Sequence, residues 1–261
     1  MLSTATLSTP VRYGTLDRFV EQIQVVRREP GETNRSVELL PDGTTNLVFR
    51  RLGDAADVTV RGPGTRAHYK TAPAIPLYVR VVFRPGGAYP FFGVPVDQLT
   101  DRYVTLGDLW GRSGELLQER LIAAADDGGD VAEIMRRALV DRLRTTPFEP
   151  SSAVAARAAV GLLARGERSV AEVAGALGLS ERHLRRAFQA TVGLTPKTFA
   201  RIARFQRALA LGRAAPGRWN EVALATGYFD QAHLIAEFQR LALVSPSALA
   251  APTRRPRRAC G

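Results

Sequence analysis

The chain has little of what disulfide-bonded, metal-dependent or membrane-spanning proteins need. Its one cysteine, Cys260, excludes an intramolecular disulfide. Of its three histidines only His68 lies in the first 150 residues, whereas a metal-dependent β-domain enzyme needs a cluster of His and carboxylate ligands. No uncharged apolar run approaches the ~18 residues of a membrane span, and no signal peptide is evident. The sequence therefore predicts a cytoplasmic protein with no metal, no cofactor and no membrane partner.

Patterns typical of catalysis are also missing from the sequence. We find no nucleophile–base pair, no phosphate-binding loop and no G-x-S-x-G motif, so we expect no catalytic residues and no enzyme.

Positive charge is concentrated in the second half of the chain. Residues 151–261 hold 17 Lys and Arg against 6 Asp and Glu, a net of +11, whereas residues 1–150 hold 19 of each. A basic domain beside a neutral one indicates a polyanionic partner for the basic domain only.

A pattern of helix, glycine turn and helix occurs twice between Ser169 and Ala250. The positions that recur 49 residues later are Glu172, Val173, Ala174 and Gly178. Those that recur 50 residues later are His183, Leu184, Phe188 and Gln189. The step from 49 to 50 falls in the turn after the glycine. Each copy has the outline of a helix-turn-helix.

The first copy predicts a capped pair of helices with a basic outer face. Ser169 and Glu172 form a capping-box pattern, and Ser180 is placed to cap the second helix. Long donors near the start of such a helix can read bases in the major groove. The candidates for base contact in this copy are Arg182, Arg185, Arg186 and Gln189.

The two copies are joined by a predicted helix from Pro196 to about Gly212. Arginines off its apolar stripe could meet phosphates, which position a protein on DNA without reading its sequence. The candidates for phosphate contact are Ser180, Arg201, Arg204 and Arg207.

The second copy keeps the apolar scaffold but changes the outer face. Ala232, Ile235 and Ala236 stand where the first copy has arginines. We expect Gln231 to be its best base contact. His233 corresponds to His183, so a structural or phosphate-contact role is as well supported for it as base reading.

The sequence pattern of the first half of the chain predicts short strands followed by helices. Strands are predicted at residues 36–40, 46–51, 57–62 and 76–84, and residues 15–28 fit either a strand or a short helix. Amphipathic helices are predicted at 114–125, with Leu116, Leu117, Leu121 and Ile122 inward, and at 131–143, with Ile134, Ala138, Leu139 and Leu143 inward.

The predicted fold class is α+β with two domains. A small N-terminal β-sandwich or barrel-like domain with two helices precedes an all-α domain, in which a long helix joins the two helix-turn-helix units. We expect a β-rich effector or dimerisation domain at 1–145, a linker at 146–151, the DNA-binding domain at 152–250 and a disordered basic tail at 251–261. A cap for the helix at 153–163 is expected from Ser151 or Ser152, and Gly166 is expected to end it.

The second half resembles the C-terminal DNA-binding domain of the AraC family of bacterial transcription regulators. The segments that carry this resemblance are LGLSERHLRRAFQATVGLTPKTF and ATGYFDQAHLIAEFQRLALVSPSAL. Leu243 stands where the family usually has a glycine, and Ala236 replaces a common arginine. The resemblance implies that two recognition helices enter adjacent major grooves of double-stranded DNA, with Arg182, Arg185, Arg186 and Gln231 among the contacts.

The first half resembles small β-rich domains that precede some AraC-type modules. The segments concerned are LLPDGTTNLVF, VRVVFRPGGAYPFFGVP and LGDLWG. In that family such domains bind an effector or dimerise. This resemblance implies a small-molecule effector and a second copy of the chain as partners, and the resemblance of the second half implies double-stranded DNA and RNA polymerase. Together the two resemblances favour a transcription regulator. Two alternatives stay open beside it: an enzyme or sensor in the first half with accessory DNA binding, and an architectural protein that binds DNA regardless of sequence.

Overall fold

The structure is a computed structural model that describes residues 14–28, 35–72, 74–146 and 149–250. The predicted basic tail at 251–261, with Cys260, lies outside the described residues, as does part of the predicted linker.

The N-terminal region is built on antiparallel β-sheets. Its strands are β1 (Val20–Arg27), β2 (Arg35–Leu39), β3 (Asn46–Leu52), β4 (Ala55–Arg61), β5 (His68–Ala72), β6 (Leu77–Phe83) and β7 (Tyr103–Thr105). A five-stranded sheet has the order β1-β6-β3-β4-β7, and β2 pairs with β5. The four predicted strands are confirmed, and the ambiguous stretch 15–28 contains a strand. β5 and β7 were not predicted.

Four helices follow or interrupt the strands: α1 (Tyr89–Phe92), α2 (Leu106–Trp110), α3 (Arg112–Asp126) and α4 (Val131–Thr145). One face of α3 and one of α4 close the core of the sheet, through Leu117, Leu121, Val131, Met135 and Leu139. The predicted inward position of Leu116 is wrong, since its side chain is 44% exposed. Adjacent residues lie about 100° apart around a helix, so burying Leu117 turns Leu116 toward solvent.

The C-terminal region is all helical: α5 (Ser151–Arg165), α6 (Val170–Ala176), α7 (Glu181–Val192), α8 (Pro196–Ala214), α9 (Trp219–Thr226), α10 (Gln231–Ala242) and α11 (Pro246–Ala250). The helices share one apolar core, whose buried aromatic members are Phe188, Phe199, Phe205, Trp219, Tyr228 and Phe238. The α+β fold class is confirmed.

The start of α5 differs from the prediction, although its end does not. Pro150 is the N-cap residue and no side chain caps the helix, so the caps expected from Ser151 or Ser152 are wrong. The helix begins two residues earlier than expected, which places both serines inside it. Gly166 ends α5 in the left-handed conformation, as predicted, with φ of 74°.

Hydrogen bonds join the two regions. The Thr100 hydroxyl donates to the carbonyl of Gly193, the residue that ends α7, at 2.6 Å. The Tyr69 hydroxyl donates to the carbonyl of Ala242, the last residue of α10, at 2.6 Å. The N-terminal region thus contacts the C-terminal ends of both second helices of the repeat.

Among the described residues, every helix is too short or too polar to span a membrane.

Candidate nucleic-acid interface

The first unit is held in place by its caps and its turn. The Ser169 hydroxyl accepts the Glu172 N–H at 3.2 Å, and the Glu172 carboxylate accepts the Ser169 N–H at 2.7 Å. Hydrogen bonds to its carboxylate, first from the Ser169 backbone N–H and second from the Ser169 side chain, lower the pKa of Glu172. Gly178 turns the chain with φ of +66°, and Ser180 caps α7 by accepting the His183 N–H at 3.2 Å. The predicted capping box and cap are confirmed, and together they fix where α7 begins.

Helix α7 has one buried face and one cationic face. Leu184, Ala187 and Phe188 are buried in the shared core, as predicted. On the opposite face the exposed side chains are Arg182, Arg185 and Arg186, and Gln189 is half-buried. Within the described part of the chain, none of these three arginines forms a hydrogen bond or an ion pair. Their guanidinium groups are free to donate to an anionic or acceptor-rich partner.

Helix α8 connects the two units as a rigid spacer. Thr195 caps it by accepting the Thr198 N–H at 3.1 Å, and Pro196 is its first residue. Its 19 residues make it roughly 28 Å long. The predicted stripe is confirmed, since Phe199, Ile202, Phe205, Ala208 and Leu209 are all buried. A spacer of this size is comparable with the roughly 34 Å between successive major grooves.

The second unit repeats this geometry with different chemistry. Asp230 caps α10 by accepting the His233 N–H at 2.7 Å. Leu234, Phe238 and Leu241 are buried, as predicted. On the outer side Gln231 and Ile235 are half-buried, whereas Ala232, His233 and Ala236 are exposed. Two helix-turn-helix units are therefore present, with unlike outer faces.

The protein-family comparison matches this region. A family model described as a helix-turn-helix domain covers residues 173–251, which run from the middle of α6 through the second unit. The C-terminal region is an AraC-type helix-turn-helix domain. A second model, described as a domain of unknown function (DUF6597), covers residues 14–105. A search of the curated proteins gives no match.

Three solved structures are similar to part of the chain or to most of it. A transcriptional regulator with an AraC-type DNA-binding domain from Chromobacterium violaceum is 23% identical, covers 41% of this chain and 97% of its own, and has a TM-score of 0.37. The C-terminal domain of AraT, a response regulator from Geobacillus stearothermophilus, is 20% identical over 40% of this chain and 87% of its own, with a TM-score of 0.35. ToxT from Vibrio cholerae is 11% identical over 90% of this chain and 97% of its own, with a TM-score of 0.43.

Three arginines of the AraC-type domain that were predicted to contact phosphates have partners within the protein. The Nε of Arg201 lies 2.7 Å from a carboxylate oxygen of Glu237. The Nη1 of Arg204 donates to the Gly227 carbonyl at 3.3 Å, and Arg207 donates to the Ala164 carbonyl. All three arginines are half-buried. Their phosphate contacts stay a prediction, and each arginine also links helices of the domain.

A buried tyrosine lies beside one of these arginines. The guanidinium of Arg204 is 4.6 Å from the centre of the Tyr228 ring. Burial raises the pKa of Tyr228 to about 12, so its hydroxyl keeps its proton throughout the neutral range. The ring of His233 packs edge-on against Tyr228, 5.2 Å between centroids. His233 therefore has a structural contact in the turn, although its ring is also exposed toward solvent.

The N-terminal region borders the cationic face of α7, which sequence reasoning missed. An open groove of about 410 Å³ is lined by Arg182, Arg185, Arg186, Gln189 and Ala190 on one side and by Pro95, Asp97 and Gln98 on the other. Asp97 and Gln98 belong to a short 3-10 helix, Val96–Leu99, that packs near α7, and Pro95 is the residue before this helix. No local signal in the sequence relates positions that lie about 90 residues apart.

Among residues 14–28, 35–72, 74–146 and 149–250 there is no group of three or more His, Cys, Asp or Glu side chains suited to a metal ion.

Proposed function

We propose that the chain is a sequence-specific transcriptional regulator whose first recognition helix, α7, reads bases in the major groove. The observation that carries this proposal is the set of three exposed arginines, Arg182, Arg185 and Arg186, on the outer face of a capped second helix. They lie in the N-terminal half of that helix, the part that reaches base edges in helix-turn-helix proteins. An arginine can donate two hydrogen bonds to the O6 and N7 of guanine. Gln189 follows on the same face and can pair with adenine.

The second recognition helix, α10, has less hydrogen-bonding capacity. Gln231 is its first residue and is half-buried, and His233 already contacts Tyr228. We therefore assign most of the guanine and adenine readout to α7, and we assign Gln231 a single supporting contact.

Phosphate contacts would orient the domain on the duplex. The Ser180 hydroxyl is exposed at the start of α7, next to backbone N–H groups that favour anions. Arg204 and Arg207 carry further positive charge, beside their internal partners. Arg201 supports phosphate binding least, because its partner Glu237 is buried.

The N-terminal domain is proposed to regulate DNA binding, through an effector or through dimerisation. Its hydrogen bonds to the ends of α7 and α10, from Thr100 and Tyr69, give it a route to both reading helices. RNA polymerase is the further partner that a regulator of this type would engage at a promoter.

Selection of bound sequences from random duplex DNA tests the function directly. The full chain should enrich a defined sequence that contains guanines in one half-site. Arg213→Ala serves as the control variant, since it removes one exposed arginine of the same domain outside both reading helices. It should enrich the same sequence. Enrichment of no sequence by the unaltered chain would favour the architectural alternative.

A further inference from the structure

The two turns of the repeat begin with the same backbone geometry. In the first unit the Leu179 N–H donates to the Ala174 carbonyl at 2.9 Å. In the second unit the Tyr228 N–H donates to the Ala223 carbonyl, also at 2.9 Å. Both the donors and the acceptors lie 49 residues apart, so Tyr228 is the structural equivalent of Leu179.

The second turn is one residue longer than the first. The residues that cap the following helices, Ser180 and Asp230, lie 50 residues apart. The first turn passes directly from Leu179 to its cap, whereas the second has one residue between Tyr228 and its cap. The inserted residue is Phe229.

The fold gives Phe229 no packing role. Its side chain is 87% exposed, whereas the neighbouring Tyr228 is 3% exposed and supplies the buried aromatic ring of the turn. Burial of a phenylalanine side chain is ordinarily worth about 1.5–3 kcal/mol, and an exposed one gains almost none of this. An inserted phenylalanine directed into solvent is available for contact with a partner outside the chain.

The outer face of α10 next to Phe229 is also apolar. Ala232 and Ala236 are exposed and Ile235 is half-buried, at the positions that correspond to the three arginines of α7. Such side chains cannot hydrogen-bond to base edges. They can contact the 5-methyl group of thymine, the one apolar group on the major-groove edge of a base pair.

Phe229 is positioned for the same contact. It directly precedes the cap of α10, and the residues at the start of a recognition helix are those that approach base edges. Gln231, two residues on, could hydrogen-bond to a neighbouring base. We infer that the second unit recognises thymine methyl groups through Phe229 and the apolar face of α10. This inference rests on the proposed DNA-binding function and assigns its second unit a specificity of its own.

Replacing single thymines by deoxyuridine tests the inference, because this change removes only the methyl group. The duplex carries the sequence that the full chain selects. The selection is repeated with Arg186→Ala, and the half-site whose bases stay the same is taken as the second half-site. Binding is measured by fluorescence anisotropy. We expect deoxyuridine at one or two positions of that half-site to weaken binding about fourfold each, equivalent to the ~0.8 kcal/mol of one buried methylene group. Deoxyuridine in the first half-site should have no such effect.

A pair of variants identifies the side chain responsible. At one of the sensitive positions, replacing thymine by deoxyuridine should no longer change the affinity of Phe229→Ala for the duplex. Leu224→Ala is the matched control, since Leu224 is a 72% exposed apolar residue of the same unit on α9 rather than on the reading helix. It should keep the fourfold ratio. Circular dichroism should be the same for both variants, because both side chains are exposed.

The other outcomes are distinguishable. An unchanged fourfold ratio in Phe229→Ala would overturn the role of Phe229, and no sensitivity to deoxyuridine anywhere would overturn methyl recognition. If Phe229→Ala alters transcription by purified RNA polymerase but leaves both DNA affinities unchanged, the surface binds a protein and the inference is wrong. In each of these cases the proposed function stands. A failure of the unaltered chain to select any sequence would overturn the proposed function as well.

Discussion

The guanidinium of Arg201 lies 2.7 Å from the carboxylate of Glu237, which joins the first half of α8 to α10. The side chain of Glu237 is 9% exposed and that of Arg201 is 28% exposed, so the pair is largely shielded from water. An arginine of α8 therefore holds α10 in place from inside the domain.

Removing one partner of this pair should destabilise the protein. We expect Glu237→Gln to lower the free energy of unfolding by about 3 kcal/mol, the low end for a broken buried pair, because Arg201 keeps some contact with water. Urea unfolding measures this change. Glu221→Gln is the control, since Glu221 pairs with Arg218 on the surface of the same unit, and it should cost less than about 1 kcal/mol. Equal effects of the two variants would show that the Arg201–Glu237 pair has no special role.

Leu243 ends α10 in the left-handed conformation, with φ of 62°, where the first unit has Gly193 with φ of 84°. A side chain in this region costs roughly 1–2 kcal/mol, which glycine avoids. Because Leu243 is also 58% exposed, its side chain offsets little of that cost. We expect Leu243→Gly to raise the free energy of unfolding by about 1 kcal/mol in urea titrations. A decrease would mean that the leucine makes a compensating contact.

Measurements on the variant Arg204→Ala distinguish a structural role of Arg204 from a phosphate contact. Arg204→Ala removes the cation from the Tyr228 ring and should lower stability by about 1 kcal/mol. If Arg204 also meets a phosphate, the variant should weaken binding to all DNA sequences alike and reduce the salt slope of log K by about one. The slope is measured by anisotropy titrations between 50 and 200 mM salt (about the range over which counterion release dominates). An unchanged slope would assign Arg204 to the fold alone.

The hydroxyls that join the two regions offer a test of how the N-terminal domain acts on DNA binding. Tyr69→Phe and Thr100→Val each leave a helix-terminal carbonyl without its donor, at a cost of about 1 kcal/mol. We expect the double variant to bind its selected DNA more weakly, because α7 and α10 then lose a common support and binding must order them. Tyr103→Phe, at an exposed tyrosine of β7, is the control and should bind normally. Unchanged affinity in the double variant would argue against regulation through these contacts.

Sequence patterns predict the C-terminal domain well because its signals are local. Caps such as Ser169 and Ser180, the glycine turns and the 3.6-residue apolar period all lie within a few residues of the structure that they specify. The N-terminal domain is harder to predict. β5 was missed because its residues are nearly all exposed and show no alternation, so it depends on pairing with β2.

Parts of the site also depend on contacts that are distant in sequence. The outward face of α7 could be predicted from period and caps, but the groove that it forms with Asp97 depends on tertiary packing. In the same way, the position of Arg201 off the apolar stripe indicates a surface charge, whereas its actual partner lies 36 residues further along, on α10. The inserted Phe229 was visible in the sequence as the step from 49 to 50, but its exposure was not.

The central claim, that α7 reads bases through its arginines, is tested most directly by the affinity of Arg186→Ala for two duplexes. One duplex carries the selected sequence and the other a scrambled sequence of equal length, and Arg213→Ala is the charge-matched control. We expect Arg186→Ala to lose about 1–3 kcal/mol of binding free energy on the selected duplex. On the scrambled duplex it should lose little more binding free energy than Arg213→Ala does. An equal loss on both duplexes would contradict base reading and leave Arg186 as a phosphate contact.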